Sequence, residues 1–345
     1  MARLRQILHD IFVPKKVGMD LGTANSLVYV EGKGVVVKEP TVVAIDAKDM
    51  QIIAVGDEAK YMLGKNPERI IMKRPMRGGV IASAKITSRL LSYFLRKALG
   101  PIRFFKPEVV VSTPYGITSV EQRAVLKATL EAGARRVYLI PEPLAAALGA
   151  GLPIHESLGN MIINLGGGTA EIAVISLNGI VVADSLRVAG DEFNNAIMQY
   201  ARHSKGIIIG EQMAERIKIQ IGSSMYMQEP LEMEVSGRDV GSGLPRTVMF
   251  TSNEVVDALE GPLSEIIAAI KKVLEKTPPE LAADIKELGI TLSGGSALLR
   301  HFDQLLMQAL QVPVYLAEDP LHCVVKGTAM ALDYLDILEK NLTVG

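Results

Sequence analysis

Cysteine is nearly absent from this chain of 345 residues: there is one, Cys323. No disulfide can form within the chain, which fits a reducing compartment. Net charge is almost absent too, at -1, so no global basic field points to nucleic acid as a partner. The five histidines are scattered and share no metal-ligand spacing with Cys323. No apolar run reaches the roughly 18 residues of a spanning helix. A signal peptide is missing as well. Arg3, Arg5, His9 and Asp10 interrupt any apolar core at the N-terminus, and no small-residue cleavage site follows. These absences predict a cytosolic protein. What the chain has is apolar residues, 48% of the total, enough over this length for two domains or lobes.

The first twelve residues, MARLRQILHDIF, carry a pattern of their own. Leu4, Ile7, Leu8, Ile11 and Phe12 fall at i, i+3, i+4, i+7 and i+8, one stripe of a helix. Arg3, Arg5, Gln6 and His9 fall outside the stripe; Pro14 stops it, and Lys15 and Lys16 follow. Such a stripe suits a membrane interface, with its basic residues toward anionic lipid. The alternative is a helix packed on its own domain or on a partner.

Apolar β-rich runs alternate with helical runs along the chain, which predicts an α/β fold. VGMDLGTANSLVYVEGKGVVVKEPTVVAI reads as strand, turn, strand, turn, strand, with EGKG as a tight hairpin. A helix follows at TSVEQRAVLKATLEAGA, capped by Thr118 or Ser119 and ended by Gly133. The second half repeats the plan in MIINLGGGTAEIAVISLNGIVVADSLRVAG. A long helical stretch from Ser252 to Thr277 is predicted to break at Gly261-Pro262. EVSGRDVGSGLPRTVMF predicts a small β insertion, and LGITLSGGSALLRHFDQLLMQAL a strand, a Gly turn and a helix. Two halves that open alike imply a duplicated architecture with a site between two lobes.

The two opening turns are the candidate chemistry. Gly22, Thr23, Ala24 and Asn25 form one, and Gly166, Gly167, Gly168 and Thr169 the other. Gly-rich turns expose successive backbone N–H groups, and such concavities bind phosphates. Each turn follows a polar strand end, Asp20 in the first and Asn164 in the second. An Asp there can hold Mg²⁺ through its waters. The third Gly turn, Gly294 and Gly295 in LSGGSALL, lets backbone approach a flat ligand, or is an ordinary strand-to-helix turn. Glu215 and Lys218 are i, i+3 neighbours that can bind a ribose or base, or form a solvated surface pair.

Together these stretches resemble the actin, Hsp70 and sugar-kinase superfamily of ATPases. Within it the chain resembles the MreB bacterial actins. VGMDLGTANSLVYVEGKGVVV, KRPMRGGVIA, EAGARRVYLIPEPLAAALGAGLP, NLGGGTAEIAVISLNGIVV, RVAGDEFNNAI, IIIGEQMAERIKIQIG, VSGRDVGSGLPR, LEKTPPELAADI, LSGGSALLR and VVKGTAMALDYL carry the resemblance, from about residue 17 to 335. It implies two lobes, each a central mixed sheet flanked by helices, with ATP and Mg²⁺ in the cleft. By the same resemblance Asp20 to Asn25 form the first phosphate loop, with Asp20 holding Mg²⁺ through water, and Asn164 with Gly166 to Thr169 form the second. Glu215 and Lys218 resemble ribose and adenine contacts, and Gly294, Gly295, Ser296 and Ala297 the adenosine loop. Glu142 matches the water-activating glutamate and Thr169 its partner, a pair able to orient water toward a γ-phosphate. Taken alone, Glu142 reads as a helix N-terminal acid. The loop GPIRFFKP corresponds to a hydrophobic membrane loop, with Phe104 and Phe105 beside Arg103 and Lys106. With two candidate anchors, membrane binding is the favoured expectation.

The chain also departs from the resemblance. Asn164 stands where Asp is usual, Pro141 where an acid precedes the glutamate, and Gly79 and Ser83 where acids are usual. Each change removes negative charge, and Asn keeps the size and hydrogen bonds of Asp without its charge. ATP is therefore expected to bind normally and to be hydrolysed slowly.

The expected organisation is an amphipathic membrane helix over 1–14, lobe I over 15–150 and 316–345 with an insertion at 33–74, and lobe II over 151–315 with an insertion at 184–246. The expected function is an ATP-dependent, membrane-associated actin-like filament organising cell shape and peptidoglycan synthesis. Its expected partners are further copies of the chain in paired protofilaments, anionic inner-leaflet lipid and membrane proteins of the wall-elongation machinery, with no nucleic acid. Its expected location is the cytoplasm, peripheral on the inner face of the membrane. An Hsp70-like chaperone fits less well, because the chain ends at Gly345, soon after the last shared motif. A sugar-kinase-like phosphotransferase would need a base and a substrate pocket that do not stand out beyond Glu142.

Overall fold

The structure is a computed structural model that describes residues 15–100, 105–335 and 342–345. The predicted amphipathic residues Leu4, Ile7, Leu8, Ile11 and Phe12, and Phe104 of the aromatic loop, lie outside the described residues. No described helix is long and apolar enough to cross a membrane.

The first valine-rich runs form a meander of β1 (Lys16–Leu21), β2 (Asn25–Val30) and β3 (Gly34–Pro40). The EGKG hairpin closes through Gly32 and Gly34, at φ 75 and 78, which an L side chain rarely adopts. β4 (Val43–Asp46), β5 (Ile52–Val55) and β6 (Ile70–Lys73) leave this sheet for a small one of order β5-β4-β6. The helix Asp57–Met62 packs on it over Val42, Ala44, Ala54 and Ala59. A two-residue-strand hairpin, β7 (Met76–Arg77) and β8 (Val80–Ile81), leads into the helix Ala84–Leu99. β9 (Glu108–Thr113) and β10 (Arg136–Pro141) then return to the main sheet. The helix Ser119–Glu131 joins them, and Thr118 is its cap. The Thr118 hydroxyl accepts from the Glu121 N–H and the Glu121 carboxylate accepts from the Thr118 N–H, a reciprocal capping box.

The second meander is β11 (Asn160–Leu165), β12 (Ala170–Ser176) and β13 (Gly179–Leu186). Leu177 and Asn178, at φ 49 and 61, make the tight turn between the last two. β14 (Ile207–Ile208), β15 (Glu232–Asp239) and β16 (Pro245–Thr251) form the expected small β insertion. β17 (Ile290–Ser293) and β18 (Val314–Leu316) complete the second main sheet, and β19 (Thr343–Val344) borders the first.

The sheet orders reveal the duplication. The first sheet runs β19-β10-β9-β1-β2-β3 and the second β13-β12-β11-β17-β18. Read from its β3 edge, the first five strands of the first sheet match the second in order, and β19 has no counterpart. β1 pairs in parallel with β9 and β9 with β10, as β11 does with β17 and β17 with β18. One compact unit takes in the chain up to Leu158, Ile175–Val181 and the chain from Leu321; the other takes in Gly159–Val174 and Val182–Pro320. Each has its own core. Val17, Met19, Leu91, Phe94 and Val109 belong to the first, and Ile163, Phe193, Phe250, Ile266 and Leu292 to the second.

One local expectation is corrected. The helix Ser252–Lys276 runs unbroken through Pro262. Its buried stripe, Val255, Leu259, Leu263, Ile266, Ile270 and Val273, keeps one phase across the proline, so packing outweighs the lost backbone bond. After β17 the chain makes a short 3-10 turn, Gly295–Leu298, before the helix Phe302–Leu310 begins.

Candidate functional site

The first unit gathers polar groups at the carboxyl ends of β1, β9 and β10. Asp20 lies on β1, one residue beyond the register pair Met19–Val111, so it stands beside Ser112. The Ser112 hydroxyl donates to Asp20 Oδ1 at 2.9 Å. Burial pushes the Asp20 carboxyl up to about 6, and the Ser112 bond opposes part of that rise. Ile140 on β10 pairs with Ser112, Pro141 with Thr113, and Glu142 follows at once. Glu142 is thus the first residue of the helix Glu142–Gly149 and is buried. Carboxyl ends of parallel strands are the usual ligand edge of an open α/β sheet.

The turn after Asp20 is held from behind by Thr41. Its hydroxyl donates to the Gly22 carbonyl at 2.7 Å and its N–H to the Ala24 carbonyl at 2.9 Å. The Ser26 hydroxyl lies 2.9 Å from the same Thr41 oxygen. Thr23 is buried and its hydroxyl accepts from the Gly79 N–H at 3.0 Å, while Asn25 is exposed. A Cβ on Gly22 would lie 2.6 Å from the Asn25 carbonyl oxygen, so the turn closes only on glycine. Gly79 is at φ 75, with Pro114 Cγ only 2.2 Å from any Cβ, so its backbone here requires glycine. Ser83 lies just before the helix Ala84–Leu99.

The second unit repeats the arrangement with different chemistry. Asn164 on β11 pairs in register with Ser293 on β17, and the Ser293 hydroxyl donates to Asn164 Oδ1 at 3.1 Å. Both side chains are buried. The Gly166 N–H donates to the Thr169 carbonyl at 2.9 Å, closing the turn through Gly167 and Gly168. The carbonyls of Gly166 and Gly167 face inward: Gly166 accepts from the Ser296 hydroxyl at 2.7 Å, and Gly167 from the Asp191 N–H at 2.7 Å.

Gly190 joins the remaining predicted segments. Its N–H donates to the Gly166 carbonyl at 3.3 Å, and its carbonyl accepts from Lys218 Nζ at 2.8 Å. A Cβ there would lie 2.6 Å from Ser296 Oγ and 3.2 Å from Lys218 Nζ. Lys218 is therefore tied to the loop; it and Glu215 both lie half-buried on the helix Glu211–Ile221. Gly294, at φ 86, passes so close to β11 that a Cβ would lie 2.2 Å from the Leu165 carbonyl oxygen. Gly295, Ser296 and Ala297 follow in the 3-10 turn. The second unit thus brings Asn164, Gly166 to Thr169, Lys218 and Gly294 to Ala297 into one neighbourhood. The first does so for Asp20 to Asn25 and places Glu142 two strands away. Glu142 belongs to the first unit and Thr169 to the second.

Ser112, Ser293, Thr41 and Gly190 were not singled out by sequence reasoning. A signal existed for the two serines: VVVSTP and GITLSGG each end an apolar strand in Ser. Thr41 and Gly190 carry no such signal.

Among the described residues no group of three or more His, Cys, Asp or Glu is placed to hold a metal ion. The donor set at Asp20 is a single carboxylate. That fits an ion such as Mg²⁺, which keeps several waters and takes other oxygens from phosphate, and not a cage built from protein alone.

Two units of one strand order, each ending its central strand in a polar residue beside a serine and turning on glycine, define an actin-like protein. The family model described as MreB/Mbl protein matches residues 14–340. The cell shape-determining protein MreB of Escherichia coli K12 is 48% identical over 327 residues, covering 93% of this chain and 94% of the relative. The cell shape-determining protein Mbl of Bacillus subtilis 168 is 45% identical over 327 residues, covering 95% and 98%. Among solved structures, MreB5 of Spiroplasma citri bound to AMPPNP aligns with a TM-score of 0.90 and 38% identity, over 95% of this chain and 99% of that one. The MamK double helical filament shares the fold, with a TM-score of 0.79 at 20% identity, over 93% and 99%. The chain belongs to the MreB/Mbl family.

Proposed function

We propose that this protein is a nucleotide-binding, actin-like cytoskeletal protein that forms filaments, associates with the inner face of the cell membrane and organises cell shape and peptidoglycan synthesis. The observation that carries the reading is the duplicated strand end and glycine turn, at Asp20 and Asn164, in a chain similar over almost its whole length to cell shape-determining proteins. The relative from Spiroplasma citri is bound to AMPPNP and also to ADP in its structures, which supports ATP as the ligand here.

In this reading the N–H groups of Gly22 to Asn25 and of Gly167 to Thr169 bind phosphates, while the Gly166 N–H closes the second turn on the Thr169 carbonyl. The inward-facing carbonyls of Gly22, Ala24, Gly166 and Gly167 support it, because they leave the opposite edge of each turn to N–H groups. Asp20 would hold Mg²⁺ through water, and Mg²⁺ would neutralise phosphate charge. Lys218 and Glu215 would contact ribose or base, Gly294 to Ala297 would line the adenosine, and Glu142 with Thr169 would orient water. Phe105, 44% exposed beside the exposed Lys106, supports a membrane contact.

Sedimentation of the full chain tests this. ATP should drive it into the pellet as filaments, and vesicles containing anionic lipid should carry it down further. A chain that stays in the supernatant at all concentrations of ATP, with and without vesicles, would refute the reading. Sugar-dependent ADP release would replace it with a kinase.

A further inference from the structure

The two strand ends differ in one atom, and that atom decides what each can bind. Ser112 donates to Asp20 Oδ1, leaving Oδ2 as the remaining terminal atom, a hydrogen-bond acceptor that carries charge. Ser293 donates to Asn164 Oδ1, leaving Nδ2, which carries two N–H donors and no charge. The orientation of Asn164 is fixed by two neighbours. Ser293 is fully buried and its hydroxyl finds its acceptor in Oδ1. Gly294 approaches the same oxygen so closely that a Cβ would lie 2.9 Å from it. A bare Nδ2 donor suits a phosphate oxygen, whereas a carboxylate at the same place repels one unless a cation or water lies between them.

We propose that Asn164 binds nucleotide phosphate directly through its Nδ2 amide, so that the second unit grips the polyphosphate without a divalent cation and only Asp20 depends on one. This rests on the nucleotide reading above. It separates two tasks that a pair of carboxylates would share. Asp20 takes the cation-dependent contact, and Asn164 a contact that is indifferent to the cation.

The test is a titration of the full chain with a fluorescent ATP analogue, in excess Mg²⁺ and in excess EDTA. The parent, Asn164→Asp and Asp20→Asn are compared. Asn164→Asp keeps the oxygen that Ser293 needs, and a melting curve checks that each variant is folded. EDTA should weaken binding only a few-fold in the parent, and by roughly a further tenfold or more in Asn164→Asp, where charge faces phosphate uncompensated. Asp20→Asn should be less sensitive to EDTA than the parent. Equal EDTA sensitivity in the parent and Asn164→Asp would overturn the proposal, even with tight binding in Mg²⁺. Absence of binding in Mg²⁺ by the folded parent would overturn the nucleotide reading and this proposal with it. Binding by Asp20→Asn as cation-dependent as the parent's would also count against it.

Discussion

Ser293 meets Asn164 at 3.1 Å in the same place of its sheet where Ser112 meets Asp20 at 2.9 Å in the other. The duplicated fold has kept the serine, the strand pairing and the glycine turn in both copies. It has kept the charge in one. A carboxylate and an amide of the same shape both accept from the serine, the charged one more strongly, so that contact admits either. What distinguishes them is what the remaining atom offers a ligand.

The charge that was kept is costly to the folded chain. Burial raises the Asp20 carboxyl from 3.8 to about 6. A carboxyl whose folded value lies above its unfolded one favours the fold most below the unfolded value, and loses that contribution as pH rises through about 6. Asp20→Asn has no charge to bury. Ligand-free, it should be close to the parent near pH 4 and more stable near pH 8, by up to about 3 kcal/mol. Urea unfolding at both pH values checks this; a gap independent of pH would remove Asp20 as its source.

The charge that Asn164 lacks bears on turnover. Phosphoryl transfer to water depends on positioning and electrostatics, and an amide cannot accept a proton or order water as a carboxylate does. Asn164→Asp should therefore release phosphate from ATP faster than the parent, by severalfold to a few powers of ten. The measurement is phosphate release at saturating ATP and Mg²⁺. A variant no faster than the parent marks Asn164 as a tolerated substitution for hydrolysis.

Much of this was legible in the sequence because it is local. Strand, polar residue, glycine turn and strand recur within a dozen residues, so the paired turns and the α/β duplication can be read from the chain. The Thr118 cap and the polar β insertion are local as well. What was not legible depends on distant partners. Ser112 and Ser293 matter because parallel pairing sets them beside residues 92 and 129 positions away. Lys218 looked like a surface cation until the helix N-terminus at Gly190 came to meet it. The helix through Pro262 ran on because its buried stripe lies against a core no local propensity reports.

The placement of Glu142 depends on glycines elsewhere. A Cβ on Gly327 would lie 1.7 Å from the Ala145 carbonyl oxygen, and one on Gly149 only 1.8 Å from that of Cys323. The helices Glu142–Gly149 and Cys323–Ala331 therefore touch backbone to backbone. Gly327→Val must push them apart. It should destabilise the chain by about 2–3 kcal/mol, read from urea midpoints. Gly64→Ala, at φ 75 with open space around its Cβ position, should cost about 1 kcal/mol from backbone strain alone. Equal losses in the two variants would mean that the helix contact yields without cost.

The proposed membrane contact is tested at the opposite end of the same strands. Lys16, Glu108 and Arg136 are register partners at the amino ends of β1, β9 and β10. The exposed residues Phe105, Lys106, Arg135 and Arg136 lie at this edge or lead into it, and the predicted amphipathic stretch joins the chain just before Lys15. Cations outnumber acids here, which suits anionic headgroups, while Phe105 would supply the apolar contact. Burying one phenylalanine contributes about 1.5–3 kcal/mol. Phe105→Ser should thus weaken binding to anionic vesicles by roughly tenfold or more, and the loss should persist at high salt because it is not electrostatic. Arg135→Glu with Arg136→Glu should weaken binding at low salt and lose its effect as salt rises. Vesicle flotation at two salt concentrations separates the two. If neither variant changes flotation, this edge does not face the lipid.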